Sequence, residues 1–278
     1  MTTKLAIENV HELDQNVVFY EEGHQYKIIC DHESKYTSVT TWLHNHFEKF
    51  DADKIIDNMM KAKTWNEKNK YFGMTKKQIK EQWNQNGKEV SSQGTQLHYY
   101  IEQFMNLPSS ETQAAHHDLK EIFLSSPFSD PIVETTEWTY FMNFIDMFPN
   151  FIPYRTEWTI YDTELKIAGS IDMVYKNLDG SLMIYDWKRC KDITKNNPFN
   201  KYGLSCLDNV PDTNFWHYSL QLNIYKYILE KNYGVSVTHL YLVQLHPSCK
   251  NYQLIKVPDL SNTISLLVQD RIEKIKLK

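Results

Sequence analysis

Two strand-like runs near the middle of the chain carry the residues best suited to chemistry. Asp172 interrupts the apolar run KIAGSIDMVYK, and Asp186 and Lys188 close the next run, SLMIYDWKR. Side chains two apart on a strand share a face, so Asp186 and Lys188 point one way and Trp187 the other. A turn at NLDG joins the runs as a hairpin and lets the neighbouring strand bring Asp172 alongside. Burying two carboxylates and an amine together is costly unless they pair with each other or hold a metal ion. A hard divalent cation, Mg²⁺ or Mn²⁺, suits these oxygen ligands. With a lysine to orient water and offset developing charge, the set meets the needs of phosphodiester hydrolysis. A plain Asp–Lys ion pair on an exposed strand is the competing reading, and the bare tripeptide favours it.

The elements that must position these residues follow from periodicity and punctuation. The segment VVFYEEGHQYKII reads as a hairpin, and KYTSVTTWLHNHF follows it. In the latter, Ser38, Thr40 and Thr41 precede an apolar run as helix caps do, and a helix start also offers free N–H groups to a phosphate. A charged helical stretch is expected from Asp51 to about Asn86. From Gly94, Leu97, Ile101 and Phe104 fall on one helical stripe, with His98 and Glu102 one turn apart. Helices are expected near His117 to Leu124 and Glu137 to Phe148, followed by the three strands TEWTIYD, KIAGSIDMVYK and SLMIYDWKR. A long helix from about Asn214 to Asn232, strands THLYLVQLH and YQLIKVP, and a closing helix from about Ser261 to Lys276 complete a mixed α/β arrangement around a central sheet.

The run IAGSIDMVYKNLDGSLMIYDWKR resembles the core of the PD-(D/E)XK nuclease superfamily, in its RecB-like exonuclease branch. Gly169 and Asp172 match its GxxD, and Asp186 and Lys188 its DxK. GTQLHYYIE resembles the helical motif whose histidine binds metal, at His98, and QLNIY resembles the QxxxY motif, at Gln221 and Tyr225. YTSVTTWL is similar to the opening segment of RecB-like exonucleases, including the mitochondrial genome maintenance exonuclease and those of large DNA viruses. The resemblance implies a restriction-endonuclease-like core, a central mixed β-sheet flanked by helices, over residues 91–278. A mainly helical N-terminal subdomain, over residues 1–90, would contact DNA. It implies catalytic roles for Asp172, Asp186, Lys188, Gln221 and Tyr225. Metal ligation would come from His98, Asp172, Asp186, the Trp187 backbone carbonyl and Glu157. An imidazole ligand shifts preference toward Mn²⁺. Ser38, Thr40, Arg189, Lys191, Trp216 and Tyr218 are expected at nucleic acid, through phosphates or stacked bases. The iron–sulfur cluster of some relatives in this branch is not expected, because Cys30, Cys190, Cys206 and Cys249 do not match its spacing.

Composition narrows the alternatives. The 278 residues contain only 8 glycines, none spaced as a P-loop or dinucleotide fingerprint. The four cysteines form no CxxC pair, and the net charge of -5 does not announce a nucleic-acid binder, although basic residues thicken between Lys54 and Lys80 and between Lys188 and Lys201. No apolar stretch is long enough to span a membrane and no signal-peptide core opens the chain, so the expected location is the cytoplasm or a host or viral replication site. The resemblance implies metal-dependent DNA cleavage, as an exonuclease on ends or single strands, in replication, recombination or repair. DNA is the expected partner, with proteins of those processes beside it and no membrane. Two alternatives stand: a cap-snatching type of RNA endonuclease, and a non-catalytic nucleic-acid-binding module on a nuclease fold.

Overall fold

A computed structural model describes residues 3–277. The chain is an α/β protein with a six-stranded mixed sheet, a separate hairpin and, among the described residues, eight α-helices. In order these are α1 (Lys4–Glu8), β1 (Val17–Tyr20), β2 (Gln25–Ile28), β3 (Thr37–Ser38), α2 (Val39–His44), α3 (Ala52–Lys61), α4 (Lys76–Met105), α5 (His116–Ser125) and α6 (Thr136–Met147). Then come β4 (Ile152–Asp162), β5 (Ile167–Lys176), β6 (Leu182–Lys188), α7 (Asn214–Asn232), β7 (Val237–Gln244), β8 (Gln253–Lys256) and α8 (Ser261–Lys276). No described helix is long and apolar enough to cross a membrane.

The sheet runs β3-β5-β6-β7-β8, with β4 on the remaining edge of β5. The β4, β5 and β6 meander is antiparallel, and β6 pairs with β7 in parallel, the return being made by α7. Alternation along β6 divides the core between the two faces. Leu182 and Ile184 join Leu220, Ile224 and Ile228 of α7, while Met183, Tyr185 and Trp187 join Phe104 of α4 and Phe141 and Phe144 of α6. Trp187 meets Phe141 and Phe144 edge-on at 5.7 and 5.4 Å between ring centroids. Each such contact adds about 0.5–1.5 kcal/mol beyond burial. Asp186 and Lys188 therefore face α7.

Two elements differ from what periodicity suggests. The helical stretch expected from Asp51 to Asn86 is broken: α3 ends at Lys61, and residues 62–75 fold over a satellite core of Ile56, Tyr71 and Ile79. The next helix starts at a capping box, Thr75 with Gln78, and runs 30 residues without a break through Gly87 and Gly94. Its middle is exposed almost all round, so no apolar stripe marks it as helix. The expected boundary at residue 90 thus lies inside α4, and β3, from the N-terminal region, is a strand of the main sheet. Within that region part of the basic run is paired, Lys54 with Glu48, Lys76 with Asp57, Lys77 with Glu81 and Lys80 with Asp53.

Candidate active site

The residues singled out for chemistry meet where the sheet opens. β4 lies along one edge of β5 from Ile167 to Lys176, while β3 and β6 share the other. β3 takes Ile167 and Ala168, and β6 takes Met173 to Lys176, so Gly169 to Asp172 have no ladder partner on that edge among the described residues. Continuing the β5–β6 register past Met173↔Tyr185 would set Asp172 directly across from Asp186. Like charges so placed repel, and the strands part there. Asp172 Oδ2 instead accepts the Trp187 N–H at 3.0 Å.

Glu157 approaches from the far edge. The pairs Thr156↔Met173 and Trp158↔Ile171 bracket it opposite Asp172, and its φ of 44° is left-handed. That conformation costs a non-glycine residue about 1–2 kcal/mol and recurs where a side chain must be aimed at a functional site. Ser170 Oγ donates to Glu157 Oε2 at 3.0 Å. From α4, His98 Nε2 lies 2.9 Å from the Trp187 carbonyl, which can only accept, so Nε2 carries the proton. The other ring nitrogen, Nδ1, faces Asp172 Oδ2 at 3.5 Å. Ligand atoms of His98, Glu157 and Asp172 all lie within 4.8 Å of one another. The Trp187 carbonyl, expected on the metal, accepts the His98 ring N–H here and keeps a second lone pair.

Asp186 and Lys188 stand beside this trio. Asp186 is 2% exposed, and its Oδ2 sits 2.6 Å from Lys188 Nζ. The ammonium is the partner of that buried oxygen, which takes no further hydrogen bond among the described residues. Burial, with Asp172 adding to it against the pull of Lys188, pushes the Asp186 carboxyl up to about 6. Burial and Asp172 push Glu157 up to about 8. Burial pulls the Lys188 ammonium down, but Asp186 and Asp172 outweigh it and hold the group well above its usual value. Lys188 is therefore a cation, steadied by the Tyr218 ring at 4.4 Å. Three carboxylates and an imidazole form a donor set that fits a hard, six-coordinate divalent cation.

The GxxD and QxxxY motifs explain each other. A Cβ on Gly169 would lie 2.6 Å from Tyr225 Cε1 and 2.9 Å from its hydroxyl, so only glycine lets the ring approach β5. Gln221 Nε2 donates to the Tyr225 hydroxyl at 3.2 Å, and both residues are buried. Ser38, one residue from Gly169 through its pairing with Ala168, caps α2 by accepting the Thr41 N–H at 3.0 Å and contacts Thr40 Oγ1 at 3.2 Å.

Three of the expected nucleic-acid contacts are placed differently. Arg189 is committed to Glu137 of α6, with Nε and Nη2 each 2.9 Å from Oε1, so its guanidinium is paired inside the protein. Trp216 donates its indole N–H to the Lys195 carbonyl at 3.0 Å and lines a cavity with Lys226, Thr238 and Lys256, apart from the carboxylates. Tyr218 serves Lys188 directly. Lys191 is exposed, on a loop pinned where Gln244 Nε2 donates to the Cys190 and Lys191 carbonyls at 2.8 and 2.9 Å.

Sequence reasoning gave no role to Ser170, Glu102, Glu137 and Gln244. Glu102 carried a signal, its i,i+4 spacing from His98; burial raises its pKa, and it adds to the charge felt by Glu157. Ser170 lay within the GxxD run itself. Glu137 and Gln244 act only through partners 52 or more residues away and carried none. No protein-family model matches the chain, and no curated protein is significantly similar to it.

Proposed function

We propose that the protein is a metal-dependent nuclease with a restriction-endonuclease-like core, hydrolysing phosphodiester bonds of DNA from ends or in single strands. One observation carries this reading: His98, Glu157, Asp172, Asp186 and Lys188, from one helix and three strands, converge where β5 and β6 part. An ion pair between Asp186 and Lys188 does not account for the left-handed Glu157 set opposite Asp172.

When bound, Mg²⁺ or Mn²⁺ would supply Lewis-acid charge to the scissile phosphate and lower the pKa of water. His98, Asp172 and Glu157 would hold the ion, with Asp186 offering a carboxylate oxygen beside them. Lys188, kept charged by the aspartates, donates hydrogen bonds to the attacking water or a phosphate oxygen and stabilises the charge that grows in the transition state. The Trp187 carbonyl fixes the His98 ring, and Tyr225 with Gln221 buttresses β5 at Gly169. Attack in line with the leaving O3′ would yield 5′-phosphate and 3′-hydroxyl ends, the 3′ oxygen taking up a proton. The QxxxY helix packed on the GxxD glycine favours the DNA branch over the RNA alternative.

The test incubates purified protein with 5′- and 3′-labelled single-stranded, blunt duplex and circular DNA and matched RNA, under Mg²⁺, Mn²⁺ or chelator, beside Asp172→Asn. A metal-dependent ladder on linear DNA, sparing circles and absent in the variant, is the expected result. Cleavage of RNA in preference to DNA would move the reading to the RNA endonuclease. Metal-independent binding without cleavage would move it to a non-catalytic module.

A further inference from the structure

A second histidine cluster lies away from the carboxylates, where the end of α2, a 3-10 turn at Ser205–Leu207 and α8 come together. His46 is buried, its side chain 6% exposed. Its Nδ1 lies 3.0 Å from the Trp42 carbonyl, which can only accept, so the proton is on Nδ1 and Nε2 presents a lone pair. That nitrogen has no hydrogen-bond partner among the described residues. Facing it are Asp270 Oδ2 at 3.5 Å and the Cys206 thiol, and the three ligand atoms lie within 4.8 Å of one another.

The turn that delivers Cys206 is held tightly. Leu204 N–H donates to the His46 carbonyl at 2.7 Å, and Ser205 is left-handed at φ 58°. A Cβ on Gly203 would meet Leu207 Cβ and its carbonyl oxygen at 2.7 Å, so only glycine passes. Backbone strain and a steric constraint thus hold a sulfur against a lone pair and a carboxylate. Two acceptors facing each other at 3.5 Å repel unless a proton or a metal cation stands between them. Tetrahedral zinc with nitrogen and oxygen bonds near 2.1 Å sets such atoms about 3.4 Å apart. A main-chain carbonyl on the far nitrogen is the usual orientation device for a zinc-binding histidine.

We propose that His46, Cys206 and Asp270 bind a zinc ion, with water in the fourth position, and that the ion staples α2, the 203–207 turn and α8. Binding converts the Cys206 thiol to thiolate and releases one proton to solvent. Lys274 Nζ, which donates to Asp270 Oδ2 at 2.7 Å, must swing aside, and its side chain is 56% exposed and free to do so. The site is independent of the nuclease reading: its donors include a soft sulfur, whereas the active site offers oxygen and imidazole only.

The test measures zinc by plasma mass spectrometry in full-length protein expressed with zinc and passed through gel filtration, then replaces the metal with Co²⁺. About one zinc per chain is expected. The cobalt form should show visible tetrahedral bands and a thiolate charge-transfer band that Cys206→Ser abolishes and Asp186→Asn retains. In the wild-type chain, zinc should slow alkylation of Cys206, mapped by peptide mass spectrometry, which keeps the test open if Cys206→Ser does not fold. Absence of bound zinc, a charge-transfer band that survives Cys206→Ser, or alkylation of Cys206 at equal rates with and without zinc would overturn the site and leave an imidazolium–aspartate pair.

Discussion

His98 and His46 each give one ring N–H to a main-chain carbonyl and turn the other nitrogen toward an aspartate oxygen 3.5 Å away. What surrounds them differs. Around His98 stand further carboxylates and a lysine, mounted on strands whose pleat sets their direction. Around His46 stands a thiol, delivered by a strained turn between elements distant in the chain. The same histidine geometry thus serves a hard, open, charge-rich site in one place and a softer, closed one in the other. The third donor sets which metal each proposed site would prefer, oxygen suiting Mg²⁺ or Mn²⁺ and sulfur zinc.

The largest effect expected from breaking this contrast is on cleavage. Lys188→Met should lower kcat about 10²–10³-fold while Mn²⁺ still binds, because the lost charge acts in the transition state. Rates within threefold of wild type would remove Lys188 from the chemistry.

Gly169→Ala should cost about 1–3 kcal/mol of stability, as the new methyl meets the Tyr225 ring at 2.6 Å. Tyr225→Ala in the same chain should recover much of that loss in a double-mutant cycle of thermal or denaturant melts. Strict additivity would mean that the ring does not press on Gly169.

The two sites should also separate by pH. Glu157 is raised from 4.5 to about 8 and Asp186 from 3.8 to about 6, so the folded protein holds more protons than the unfolded chain across that window. The contribution of these groups to metal-free stability is therefore present at the acid end and is lost as pH rises toward 8. Mn²⁺ should reverse this by replacing the protons, binding more tightly as pH rises and releasing protons measurable by calorimetry in different buffers. Glu157→Gln should flatten the stability profile. An unchanged profile would show that the carboxylates do not share the site's charge.

The smallest effect sharpens the boundary of the active site. Ser38→Ala should cost about 1 kcal/mol, the value of a helix cap. Lys191→Ala should lower the salt dependence of DNA binding by about one ion. A Ser38 effect on salt dependence and none for Lys191 would exchange their roles.

Much of this was legible in the residues. The meander, α7 and the amphipathic closing helix follow from local period and turn signals, which depend only on neighbours in sequence. The pleat alone puts Asp186 and Lys188 on one face. The continuity of α4 was not legible, because its exposed middle has no apolar stripe and its glycines read as punctuation. Neither was the commitment of Arg189 to Glu137, since a basic residue after a catalytic strand looks the same whether its partner is a phosphate or a buried carboxylate.

The sequence by itself determined which residues could do chemistry and which face of each element they would occupy, because side-chain direction is set by backbone geometry over a few residues. Only the tertiary structure decided which of them meet. The parting of β5 and β6, the register that sets Glu157 opposite Asp172, and the gathering of His46, Cys206 and Asp270 across 224 residues of chain are outcomes of strand pairing and packing. Those contacts form between segments far apart in sequence, where loop closure and burial, not local preference, select one arrangement.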